Sequence, residues 1–186
     1  MTECNQSSFG FAACGSREIV ARFDGGAISS DGGAFLLRQV DQRLNLLPRL
    51  AECFLDGRSQ ERVEHSIQEM LSQRIYGLAL GYEDLNDHEQ LRKDPVFSLL
   101  AGREDLDAPL AGMSTLNRLE LGAGVQDRYK KITFWKDGID ELLVSVFIES
   151  HQAAPAKLVL DVDTTDRPQP GKQEGRFFHG HDDAYG

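Results

Sequence analysis

Residues 158–166 read LVLDVDTTD, and this stretch decides how the rest of the chain divides. No helical period fits it, and its apolar residues are leucine and valine, so it predicts a β-strand. Side chains alternate along a strand. Leu158, Leu160 and Val162 therefore form the buried face, while Val159, Asp161 and Asp163 share the opposite one. Two carboxylates on one face repel each other, which costs stability unless the face is solvated or a cation sits between them. An oxygen-seeking divalent ion such as Mg²⁺ resolves that conflict. Val159 makes the acidic face mixed, so a solvated strand and a metal site both remain open. Asp166 adds a third carboxylate at the strand end, and Thr164 and Thr165 offer hydroxyls to nearby oxygens. Asp161 and Asp163 are thus the candidate metal ligands.

Downstream, RPQPGKQEG reads as a loop with two prolines and two glycines, and RFFHGHDDAYG begins a second strand-like run. That region carries Glu174, His179, His181, Asp182 and Asp183. His179 and His181 would share a strand face, which suits either metal ligation or a plain surface pair. Two strands alone make a marginal sheet in water. The expectation is therefore a sheet whose remaining strands lie outside this sequence, that is, a truncated piece.

Upstream, HQAAPA at 151–156 is a small-residue linker, and before it the pattern is helical. Residues 1–16 are small and polar and predict a frayed, disordered tail. REIVARFD at 17–24 predicts a short strand with Ile19, Ala21 and Phe23 on one face. Ser30 or Asp31 is placed to cap a helix carrying Phe35, Leu36, Leu37, Val40 and Leu44, with Pro48 just past its end. The clearest helix is expected to start near Ser59, with Val63, Ile67, Met70, Leu71, Ile75 and Leu78 at steps of three and four, and to stop at Gly81. A shorter helix contains Leu91, and Asp94-Pro95 marks a turn or a new helix start. Ser114 is expected to cap STLNRLEL, closed by Gly122 and Gly124. Residues 126–150 read as helix with a break at Asp137-Gly138, and Ile139, Leu142, Leu143, Val146 and Phe147 form an apolar face. The predicted class is α+β, with a mainly helical region at 17–150 and the first strands of a sheet at 156–186.

Composition narrows the classes. Forty per cent hydrophobic and 8% aromatic residues describe a chain with a core. No apolar run reaches membrane length, and the N-terminus does not read as a secretory signal. Cys4, Cys14 and Cys53 signal neither a disulfide framework nor a zinc pair, so free thiols in a cytoplasmic protein are expected. The formal charge is −10. From Glu83 to Asp107, eight acids stand against three bases, so half the excess falls in 25 residues. No basic patch announces a nucleic-acid partner by itself.

The motifs taken together resemble a known family. LVLDVDTTD, the proline-glycine loop and QEGRFFHG look like the start of the catalytic domain in bacterial insertion-sequence transposases of the DDE group 1 domain family. FDGGAISSDGGAFLLRQVD, RVEHSIQEMLSQRIYGLALGYEDLNDHEQLRKDP and LAGMSTLNRLE match the same family in order. The resemblance covers about Ile19 to Tyr185. It implies a ribonuclease H-like catalytic fold in which Asp, Asp and Glu hold two Mg²⁺ or Mn²⁺ ions for cutting and joining DNA. The family's Asp-x-Thr pattern favours Asp163, with Thr165 behind it, as the first acid, and Asp161 is the alternative. The other two acids are not in this sequence, which leads to the expectation of an inactive fragment. The implied partner is DNA at the element's terminal repeats, with a homo-oligomer possible and no membrane. Asn117 and Arg118 of STLNRLE, and Arg58, Arg62 and Arg74 of the long helix, are the candidate DNA contacts, although charged residues on amphipathic helices are often simply solvated. The alternative function is a non-catalytic DNA-binding or regulatory protein acting on element ends. An unrelated phosphohydrolase fits poorly, because no lysine-bearing phosphate loop precedes the strand.

Overall fold

A short stop-and-start at Ser66 sets the central helix. The Ser66 hydroxyl accepts the Glu69 N–H at 3.1 Å, and the helix α3 (Ile67–Ala79) begins there. In this computed structural model, which describes residues 9–21, 31–122, 130–160, 178–179 and 184–185, the start near Ser59 is corrected. Gln60–Arg62 form only a 3-10 turn, and Val63 is extended. The local reason is Arg58. Its side chain grips Asp56 and the His65 carbonyl, which holds the chain off the helical path until Ser66. At the other end α3 stops where expected, with Leu80 as cap and the chain turning at Gly81.

The chain divides into two compact units, Met1–Ser150 and His151–Gly186. In the first, α3 is buried on nearly every side. Ile67, Met70 and Leu71 pack with Ala111, Leu116, Leu119 and Ile132. Tyr76 joins a second cluster with Cys14, Ile19, Ala34, Phe35, Leu47 and Leu100. Leu91, Phe97 and Leu110 make a third. Burying a leucine or phenylalanine contributes about 1.5–3 kcal/mol, so these clusters rather than helix propensity hold the unit.

The expected frayed tail is ordered over part of its length. β1 (Phe9–Cys14) pairs antiparallel with β2 (Arg17–Ala21). Gly15 makes the turn at φ +57°, and a Cβ there would strike the Glu104 side chain. Cys14 is fully buried, and Arg17 and Arg38 tie the hairpin down through the carbonyls of Glu104, Ala12 and Ala13. Small residues read as disorder here because their contacts are made with residues some 90 positions away. Phe23 and Ser30 lie outside the described residues.

α1 (Ala34–Leu44) buries Phe35 but leaves Leu36, Leu37 and Val40 exposed. Asp31 does not cap it with its side chain. That carboxylate is buried and accepts the Tyr82 hydroxyl at 3.1 Å. Asn45, in the left-handed region, separates α1 from α2 (Leu46–Glu52), so Pro48 lies just past the end of α1, as expected, and falls in the first turn of a second helix. Asp94 caps α5 (Pro95–Leu100) through the Val96 N–H, after the one-turn helix α4 (His88–Leu91). α6 (Met113–Glu120) starts from Gly112 without a side-chain cap, and Ser114 lies within its first turn.

The reading of 126–150 as broken helix is also corrected. β4 (Ile132–Phe134) pairs antiparallel with β3 (Phe54–Asp56), and Phe54 faces Phe134. α7 (Lys136–Glu149) runs unbroken through Asp137 and Gly138. Its Leu142 is buried, whereas Leu143 and Phe147 are exposed.

In the second unit, β5 (Phe178–His179) and β6 (Ala184–Tyr185) form a small antiparallel pair. Leu158–Leu160 carry no strand and are exposed, Leu160 at 84%, so the expected buried face is not formed there. No described strand pairs with them, and an extended apolar segment without a partner has no ladder to hold it. The architecture is α+β, and its described strands make three two-stranded antiparallel pairs.

Candidate functional site

α6 is the described element that best combines a fixed backbone with an open polar face. Its helical spacing sends Leu116 and Leu119 into the core beside Met70 and Leu71. Ser114, Asn117 and Arg118 then face solvent. The start of the helix is held by Glu89, whose carboxylate accepts the Met113 N–H at 2.8 Å. Its end is held by Glu120, which pairs with Arg74 of α3.

That pairing leads into a buried polar hub that the sequence reading missed. Gln73 and His88 are fully buried, and Arg74 is 9% exposed. Gln73 Nε2 donates to the Ala111 carbonyl at 2.9 Å and lies 3.3 Å from His88 Nδ1. Arg74 donates to the carbonyls of Tyr82 and Glu83 at 3.1 and 2.7 Å, and one of its nitrogens lies 3.4 Å from His88 Nε2. Burial, and then the Arg74 charge, push the His88 pKa below the ordinary histidine value, so the ring is neutral. Gly77 makes room for it: a Cβ there would stand 2.9 Å from His88 Cε1. A signal for the hub was present. Positions 70, 73, 74 and 77 fall on one stripe of α3, so Gln73 and Arg74 share the buried side with Met70.

The sequence-predicted residues fall in different places. Arg74 is corrected as a DNA contact, because its donors are spent inside the hub. Arg58 is committed as well, to Asp56 and the His65 carbonyl, and its hydrogen bonds to Asp56 hold that carboxyl below its usual range. Arg62 is exposed at the end of its 3-10 turn. Asn117 and Arg118 are exposed on α6. Asp161, Asp163, Thr164, Thr165, Asp166, Glu174, His181, Asp182 and Asp183 lie outside the described residues. Among the described residues, no group of three or more His, Cys, Asp or Glu side chains is placed to hold a metal ion. No helix among them is long and apolar enough to cross a membrane.

The motifs now have a structural sense, because YEDLNDHE supplies the Tyr82, Glu83 and His88 groups of the hub. The chain matches the family model described as transposase DDE domain group 1 over residues 11–186. It belongs to that transposase family. Comparison with curated proteins and with solved structures gave no match. Transposases of this family work with divalent metal ions and act on DNA, and the match extends across the LVLDVDTTD stretch. This acidic stretch packs against protein: the carbonyls of Tyr82 and Glu83, together with His88, are partners of Arg74 on α3.

Proposed function

We propose that the chain recognises the terminal repeats of an insertion sequence in the cytoplasm and contributes the first acid of a two-metal phosphodiester centre. The observation that supports this most is family membership running through residues 158–166. The Asp-x-Thr pattern favours Asp163 for that acid, with Asp161 as the alternative. Both carboxylates would hold Mg²⁺ or Mn²⁺ within a ribonuclease H-like domain. When bound, the ions supply the positive charge that stabilises the attacking and leaving oxygens. On the helical side, Arg118 is suited to a phosphate or a guanine edge, and Asn117 to an adenine edge. Arg62 would add a phosphate contact.

Gel shift with inverted-repeat DNA over a salt series tests the binding half. Arg118→Ala is expected to lower affinity and to flatten the log–log salt slope by about one unit, as for the loss of one phosphate contact. No shift at low salt would remove the DNA reading. Nicking of element-end DNA with Mg²⁺ tests the chemical half. Loss of nicking in Asp163→Ala supports Asp163, and loss only in Asp161→Ala transfers the role. Binding with no nicking supports a non-catalytic role at element ends instead.

A further inference from the structure

α6 is gripped at both ends by two adjacent residues of α3. Gln73 reaches the Ala111 carbonyl, just before the helix starts, and Arg74 reaches Glu120, its last residue. His88 lies between the two grips and contacts both. We propose that Gln73, Arg74 and His88 form a positioning device for α6, which fixes the helix by its two ends and loosens it when His88 takes up a proton.

The hydrogen-bond count carries the argument. A neutral imidazole has one N–H and one acceptor nitrogen, so His88 accepts from Gln73 or from Arg74 and turns its N–H toward the other, and a second proton removes the one acceptor that remains. Gln73 has two amide hydrogens. One goes to the Ala111 carbonyl, and the other reaches His88 Nδ1 as a hydrogen bond only in the tautomer that carries its proton on Nε2. Gln73 Oε1 is buried with no partner. A protonated ring carries an N–H on both nitrogens, so Nδ1–H would then face the Gln73 NH₂ group. Turning the amide over would offer Oε1 to the ring, but would place it against the Ala111 carbonyl and break that grip. On the other side, Nε2–H and its charge would face the Arg74 guanidinium 3.4 Å away. Two cations this close in a buried site repel strongly.

The charged groups around the ring are Arg74 on α3, Glu120 on α6 and Asp87 beside it in the chain. Glu120 and Asp87 favour the proton, but burial and Arg74 outweigh them. α5 and the segment 110–112 contribute no titratable side chain. Relief therefore comes by moving Arg74 off Glu120 or Gln73 off Ala111, and either movement frees an end of α6. These residues act through α6, so they are positioning residues and not DNA contacts. The consequence for DNA rests on the reading that α6 meets element ends.

Hydrogen exchange of the full chain, followed by mass spectrometry and corrected for intrinsic rates, tests the device without DNA. Between about pH 7.5 and about pH 5.5, protection of peptides covering 110–121 should fall by about tenfold relative to α3. His88→Gln should abolish that pH dependence. Glu120→Ala, at a partly exposed site, should lower protection of the same peptides at about pH 7.5. Peptides 110–121 that track α3 at every pH, or a Glu120→Ala chain with unchanged protection, would overturn the proposal. So would a folded His88→Gln variant that keeps the wild-type pH dependence. A gel shift at the two pH values separates the readings. Exchange as expected, with no DNA binding at either pH, leaves the positioning device standing and removes the DNA reading.

Discussion

Replacing Arg74 with alanine should destabilise the first unit far more than removing an exposed arginine. Arg74 is 9% exposed and serves three partners at once, Glu120 and the carbonyls of Tyr82 and Glu83. Breaking a buried charge pair by deleting one member costs about 3–5 kcal/mol. Glu120 is 39% exposed in its side chain and returns to water when Arg74 goes, and Glu83 is exposed as well. The loss therefore belongs at the lower end, about 3 kcal/mol. With a urea slope of about 2 kcal/mol per molar, the unfolding midpoint should fall by about 1.5 M. Trp135, the single tryptophan, sits between β4 and α7, and its fluorescence with far-UV circular dichroism gives two probes of the same transition. Arg118→Ala is the comparison and should change stability by no more than about 0.5 kcal/mol. Equal small shifts for the two variants would refute the hub as a stabilising element.

Acid should weaken the fold before carboxylates titrate. His88 has its pKa lowered in the folded chain, so as pH falls below 6.5 the unfolded chain takes up the proton first and stability is lost until the folded-state value is reached. Asp41, raised by burial, acts in the opposite sense nearer the carboxylate range, so the difference between the wild-type and His88→Gln chains in urea titrations between about pH 5 and about pH 7 isolates His88. A His88→Gln chain with the same slope in that window would disprove the assignment. Gly77→Ala should destabilise by about 1 kcal/mol, because overpacking against His88 exceeds the gain in helix propensity, and a higher urea midpoint would contradict this. Asp94→Ala should cost about 1 kcal/mol by uncapping α5, and Asp94→Asn should recover most of it in the same titration.

The sequence is legible where local chemistry decides and opaque where distant partners do. The apolar stripe of α3, its stop at Gly81 and the Asp94-Pro95 start depend on neighbours within one turn, and they read correctly. The start of α3 did not, because Ser59 and Ser66 both look like caps, and Arg58 chooses between them by binding the His65 carbonyl. β3 and β4 hold three residues each, and pair across some 80 positions, Phe54 with Phe134. Too few residues alternate for a period to show. β1 looked like a tail because FGFAAC offers little burial of its own, and its anchors, Glu104 and Arg38, lie far along the chain. For the candidate site, the exposed face of α6 was legible from its spacing. The hub was not, because polar residues at apolar positions were taken as the outer face of the helix.

The same distinction bears on the charge problem. A chain of net charge −10 has no general attraction for DNA, so the proposed contact rests on a few well-placed cations. Most of the described arginines of the first unit are already committed. Arg38, Arg58, Arg74, Arg92 and Arg103 all donate to backbone carbonyls of other segments, and Arg49 pairs with Glu149. They act as internal cross-links, and this makes the sequence count of basic residues a poor guide to what a phosphate would meet. Arg62 and Arg118 are among the exposed exceptions. With so little long-range attraction, the position of each remaining cation matters more. On the proposed reading, a helix held at both ends would present Asn117 and Arg118 to a nucleic acid at fixed spacing, which ties the buried polar hub to the exposed face of α6.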